Sequence, residues 1–169
     1  KFLESAPDTN WLWFWLVKHA DQMKGACAMT VDMRLFLADS FMLAVGMGLE
    51  RPMIRLHDND RRYKIYLSNK GTICFKTGAL VVGTNKPLGD EQYMGCLTHG
   101  KFLPSRDRNL LSFDKQFLDA LMADPAGYMS ERSKDMDRCC YCYMPLEDKR
   151  SKDVGYGSTC AVRWGLPWG

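Results

Sequence analysis

The chain has 169 residues, 46% of them hydrophobic and 25% charged, with a formal net charge of +3. That length holds one domain, or one domain with a small appendage, and the composition excludes large-scale disorder. The longest strongly apolar run, Trp11 to Val17, falls far short of the about 20 residues that span a bilayer, so no membrane segment is expected.

Residues 1–50 read as a helical segment. Asp8, Thr9 and Asn10 offer N-caps and Gly25 a stop, which predicts a helix over 8–24. Trp11, Phe14 and Trp15 fall on one face of it, as core or as a contact stripe. A second helix is predicted over 30–47, capped by Thr30, broadly apolar through Leu35, Leu37, Phe41, Met42, Val45 and Met47, and loosened by Gly46 and Gly48.

From residue 51 the period changes. Residues 53–56 look extended, and Asp58-Asn59-Asp60 is a turn. Residues 63–67 alternate, 68–71 turn, and 72–75 return, which predicts a hairpin. A further strand is predicted at 79–82, a loop at 85–89, and a second hairpin from 92–97 to 101–103. Ser112 is expected to cap a helix carrying Phe113, Phe117, Leu118 and Leu121, and Asp124-Pro125 to open another. Residues 51–130 are thus a small antiparallel sheet with helices, one body with 1–50. The polar stretch 131–138 reads as a linker to a module over 131–169.

Charge is uneven along these segments. Residues 51–76 hold seven Lys/Arg against two Asp/Glu, whereas 1–50 hold four against six and 77–169 twelve against twelve. The positive excess is therefore confined to the middle segment 51–76. That marks Arg55, Arg61, Arg62 and Lys64 as candidate contacts for nucleic acid or another acidic partner, with a solvated sheet face as the bland alternative.

Seven cysteines, three of them crowded at Cys139, Cys140 and Cys142, argue for a metal over a disulfide scaffold. Cys139 and Cys142 stand in C-x-x-C spacing, which puts two thiolates on one tight turn. Seventeen intervening residues, ending in Gly155-Tyr156-Gly157-Ser158-Thr159, lead to Cys160, at the start of a predicted helix capped by Ser158 or Thr159. A two-thiolate turn, a hairpin, and a third thiolate opening a helix is a treble-clef-like layout, which predicts structural zinc on Cys139, Cys142 and Cys160. The fourth ligand stays open among Cys140, Asp148, His99, Cys96, Cys74, Cys27 and a water. Removing the metal is expected to unfold 138–169 and leave the rest folded. Trp164 and Trp168 beside the metal loop read either as packing for a small core or as an aromatic contact surface.

The residues Cys139-Cys140-Tyr141-Cys142, Pro145-Leu146-Glu147-Asp148, Arg150-Ser151, Gly155-Tyr156-Gly157, Cys160-Ala161 and Trp164-Gly165-Leu166-Pro167-Trp168-Gly169 resemble the uncharacterised family called domain of unknown function 6011. That family occurs in phage and bacterial proteins and is taken to bind zinc. Tyr93-Met94-Gly95, Gly100-Lys101-Phe102 and Ala123-Asp124-Pro125 extend the resemblance upstream, so it covers residues 90–169 well and 50–90 weakly. It implies the same three cysteine ligands and a phage origin, and brings no activity. The chain departs from the pattern at Tyr143-Met144, where a small polar or Gly–Arg-like pair is commoner.

There is no nucleotide-binding glycine loop, no G-x-S-x-G, no H-x-E beside the C-x-x-C and no paired-carboxylate constellation, so an enzyme is not expected. The reading is a zinc-stabilised α+β binding protein, phage-encoded and in the host cytoplasm. It would act on nucleic acid or on a nucleic-acid-handling complex. The alternatives are a protein–protein effector of a host or phage complex and, less favoured, a metal-dependent enzyme.

Overall fold

A computed structural model describes residues 33–98 and 101–168. The predicted helix over 8–24 with its tryptophans, the Thr30 cap, and the candidate ligands Cys27 and His99 lie outside the described residues. The described part belongs to one compact unit, Val31–Gly169. It is α+β, as expected: a five-stranded antiparallel sheet in the order β1-β2-β3-β4-β5, with helices packed on it.

The sheet is a meander, and its turns explain its register. β1 (Met53–Asp58) passes to β2 (Arg61–Leu67) through Asn59 and Asp60 alone, both left-handed (φ 49° and 55°). That is the two-residue hairpin turn whose twist matches the strands, and Asn and Asp tolerate it better than most residues. Arg55 then pairs with Lys64 and His57 with Arg62. β3 (Ile73–Leu80) joins the two short strands expected at 72–75 and 79–82 into one. β4 (Pro87–Thr98) takes in part of the expected 85–89 loop and is accommodated by register shifts at 75/76 and 77/79. Pro87 stands first in that strand, where a missing N–H is tolerated. β5 (Lys101–Pro104) ends the sheet.

Alternation gives the sheet a buried face of Ile54, Leu56, Tyr63, Ile65, Phe75 and Met94. The opposite face carries Arg55, His57, Arg62, Lys64 and Lys76. Among the described residues, α1 (Met33–Gly46) buries Leu37, Ser40, Phe41 and Ala44, a stripe at helical spacing, and exposes Met42, Leu43 and Val45. α2 (Ser112–Ala123) starts one residue earlier than a Ser112 cap would require. Leu111 is the cap position, and its N–H donates to the buried Asp114 carboxylate (3.1 Å). Phe117 on this helix stacks on Tyr63 with centroids 3.7 Å apart.

Asp124 and Pro125 open α3 (Pro125–Asp135) as predicted, with the Asp124 carboxylate accepting from the Gly127 N–H (3.0 Å). The expected linker over 131–138 is corrected here. α3 runs through most of it and buries Met129 and Ser133, with Met136 following on the same seam. Three small contacts at helical spacing suffice to dock a segment whose other residues are charged. α3 is also tied to β1, because Asp58 accepts from Tyr128 Oη–H (2.8 Å) and Arg132 (3.1 Å). α4 (Lys149–Val154) and α5 (Ser158–Trp164) complete the fold. No described helix is long and apolar enough to cross a membrane.

Candidate metal centre

The end of α3 delivers the cysteine turn. Arg138 N–H donates to Ser133 O, and the Cys140 N–H donates to the buried Ser133 hydroxyl (3.0 Å). The chain then reverses: Cys139 N–H bonds Met144 O (2.9 Å), Tyr143 N–H bonds Cys139 O (2.8 Å), and Arg138 bridges to Pro145. Tyr143 takes a left-handed conformation (φ 65°) to close the turn. The third arm arrives through Gly155 (φ 88°), where a Cβ would lie 2.6 Å from the Ser130 carbonyl oxygen. Only glycine allows that approach.

Cys139, Cys142 and Cys160 converge, with all three sulfurs within 4.8 Å of one another. A tetrahedral ion with bonds of about 2.3 Å needs sulfurs roughly 3.8 Å apart, so the three can hold a metal ion with small adjustments. The Cys139 thiol is pushed well below its usual range, chiefly because it accepts hydrogen bonds from the Cys142 and Cys160 thiols. Those two are pushed up by donating to it. Binding a metal would require the protons still shared among the three sulfurs to leave.

Three details differ from the sequence reading. A short helix, α4, stands where a hairpin was expected between the second and third cysteines. The cap of α5 is Gly157, so Ser158 and Thr159 lie inside the helix rather than before it. Trp164, a candidate contact, is 2% exposed and packs against Tyr141 (4.8 Å) and Phe41 (5.2 Å); it is core. Trp168 is half-buried, with the Arg150 guanidinium 4.8 Å over its ring.

The fourth-ligand candidates also sort themselves. Cys140 is buried in the hydrophobic core, its thiol pushed up by desolvation, and it does not join the cluster. Asp148 caps α4, accepting from both the Ser151 N–H (2.9 Å) and the Ser151 hydroxyl. Cys74 and Cys96 face each other across β3 and β4. Among the described residues no fourth His, Cys, Asp or Glu completes the set.

The basic residues of the first hairpin do not act as one patch. Arg61 is on the helix-covered side, bonded to Thr77 Oγ1 (3.3 Å) with its guanidinium 4.4 Å over the Phe113 ring. Arg55, Arg62 and Lys64 are on the open side, where Glu91 takes Lys64 at 2.7 Å. The cysteine turn leans over this side. Arg55 N–H donates to Cys140 O (2.8 Å), and Tyr143 stands with its ring near both Arg55 and Arg138. Tyr143, His57, Asn85 and Glu91 escaped the sequence reading. Alternation alone could have put His57 beside Arg55 and Arg62, but nothing local signals that residue 143 returns over strand β1.

His57 is wedged in this corner, Nδ1 2.9 Å from Asn85 Oδ1 and Nε2 3.1 Å from Tyr143 Oη. Burial, followed by the Arg62 and Arg138 charges, lowers its pKa from 6.5 against the opposing effect of the Asn85 bond. The unfolded chain therefore binds the proton more tightly. Stability is expected to fall as pH drops through 6.5 toward the folded-state value, and His57→Gln should flatten that loss in urea titrations at several pH values. An unchanged acid-side slope would contradict this.

No protein-family model, no curated protein and no solved structure matches the chain.

Proposed function

We propose that the three cysteines hold zinc as a structural staple, and that the protein binds single-stranded nucleic acid across the open face of its sheet. Thiolate donors suit zinc. The burial of Cys139 and Cys160 within the core supports a staple rather than a reactive centre. Thiolate ligands also fit a reducing compartment, the host cytoplasm if the resemblance to the phage family reflects origin.

The observation carrying the binding reading is one cross-strand row. Arg55, Lys64, Lys76 and Tyr93 are successive partners across β1 to β4. Tyr66 lies beside it, with the Lys76 ammonium 5.1 Å over its ring. Cations that neutralise phosphates, interleaved with rings that stack on bases, are the two parts such surfaces combine. The extended face also suits an unpaired strand better than a duplex groove.

Fluorescence anisotropy with a labelled oligonucleotide tests it. About three phosphate contacts predict an affinity loss of about 20-fold between roughly 50 and 200 mM salt. Lys76→Ala should weaken binding and reduce the salt slope by about 0.7, the share of one contact. Absence of salt-sensitive binding would sink the reading. A second reading, a protein–protein effector, draws on the exposed Met42, Leu43, Val45 and Met47 around α1. It predicts instead that polar substitutions there abolish function while Lys76→Ala does not.

A further inference from the structure

The open sheet face does not run on past β1. The Arg55–Cys140 backbone bond closes that edge, and the cysteine turn rises over it. Between strand and turn lies a cavity of about 500 Å³, lined by Arg55, Arg62 and Lys64 from the sheet and by Tyr143 and Met144 from the turn. Small-molecule sites span about 300–1,000 Å³, so a nucleotide fits.

Charge in this cavity is unbalanced. Three cations face one carboxylate, Glu91, and Cys142, one of the three clustered cysteines, also lines the cavity. Lys64 bonds Glu91 at 2.7 Å, and Arg62 Nε forms a looser ion pair with it at 3.6 Å, beyond hydrogen-bond reach. Arg62 Nη2 donates to Gly89 O (2.8 Å), whereas the buried Nε–H has no hydrogen-bond partner. Arg55 pairs with no described carboxylate, and its guanidinium lies 5.5 Å from the Tyr143 ring centre. One carboxylate is shared between Lys64 and Arg62 and no described one pairs with Arg55, so the cavity is short of an acceptor with negative charge. A phosphate monoester carries about −1.5 to −2 and three acceptor oxygens, and guanidinium forks match its geometry.

We propose that this cavity binds the phosphorylated end of a nucleic-acid strand, its phosphate against Arg55 and Arg62 and its terminal base against Tyr143. The proposal deepens the nucleic-acid reading above and rests on it. A strand lying along the Arg55–Lys64–Lys76 row ends here because the cysteine turn blocks its path, and an internal diester has one charge fewer to offer.

The test compares oligonucleotides of about 12 nucleotides and one sequence, bearing a 5′-phosphate, a 3′-phosphate or hydroxyls at both ends. A nucleoside monophosphate serves as competitor. One phosphorylated form is expected to bind about tenfold more tightly than the hydroxyl form. Arg55→Gln, which keeps the backbone bond to Cys140, should abolish the preference. Lys76→Gln, outside the cavity, should weaken all three oligonucleotides and keep the ratio. Equal affinity for all three, or a preference that survives Arg55→Gln, overturns this proposal and leaves the nucleic-acid reading standing. Binding of the monophosphate with none of the oligonucleotides, or of nothing at all, overturns both.

Discussion

Cys160→Ser is expected to destabilise residues 33–168 together, not the C-terminal segment alone. Cys139, Cys140, Tyr141, Leu146, Cys160 and Trp164 belong to the same buried cluster as Phe41, Ile54, Ile65 and Phe117. Trp164 touches Phe41 of α1, and the cysteine turn is hydrogen-bonded to β1. The module has no core of its own to lose separately. Apparent zinc-binding energies of small structural sites run to about 10–16 kcal/mol, whereas whole domains are stable by only about 5–15 kcal/mol. Losing even part of the first therefore removes most of the second. Hydrogen exchange during a chelator titration checks this: peptides covering β2–β3 and those covering 138–164 should lose protection at the same chelator concentration. A sheet that stays protected after the cysteine segment has opened would restore the separate module that the sequence suggested. Metal analysis of the purified protein that finds no zinc would remove the premise.

Asp114→Ala should cost about 3–5 kcal/mol, the range for stripping one partner from a buried ion pair. Asp114 is 0% exposed and its Oδ2 takes Arg108 Nη2 at 2.7 Å as well as the Leu111 N–H. Its removal leaves a largely buried guanidinium without its charge partner and the start of α2 without its cap. Both nearby groups are already under-bonded, since Asp114 Oδ1 and Arg108 Nη1 have no hydrogen-bond partner. The pair is therefore costly to break yet not a strong source of stability. Arg108→Met with Asp114→Leu should recover much of the loss in urea unfolding. A single Asp114→Ala variant within about 1 kcal/mol of the parent would contradict the account.

How far the sequence reached depended on how local each feature is. Asn59-Asp60 and Asp124-Pro125 were legible because a turn type and a helix start are set by a few adjacent residues. Ser112 misled because the capping group, Asp114, sits three residues after the cap position and works from a buried site. The stretch 131–138 misled because its charged majority hid the seam of Ser133 and Met136. Spacing singled out Cys139 as the partner of Cys142, but it could not say whether Cys140 would join them as a fourth ligand, since adjacent side chains on a tight turn diverge and packing decides where the second one goes.

By itself, then, the sequence determined the α+β class, most strands of the antiparallel sheet and the three cysteines that converge. Each follows from alternation, turn chemistry or C-x-x-C spacing, all short-range. Tertiary structure alone decided that Arg61 leaves the company of Arg55, Arg62 and Lys64, that Trp164 is core, and that Tyr143 walls a cationic cavity over β1. Those outcomes depend on contacts between residues tens of positions apart, as between His57 and Tyr143, which chain closure brings together and no local pattern encodes.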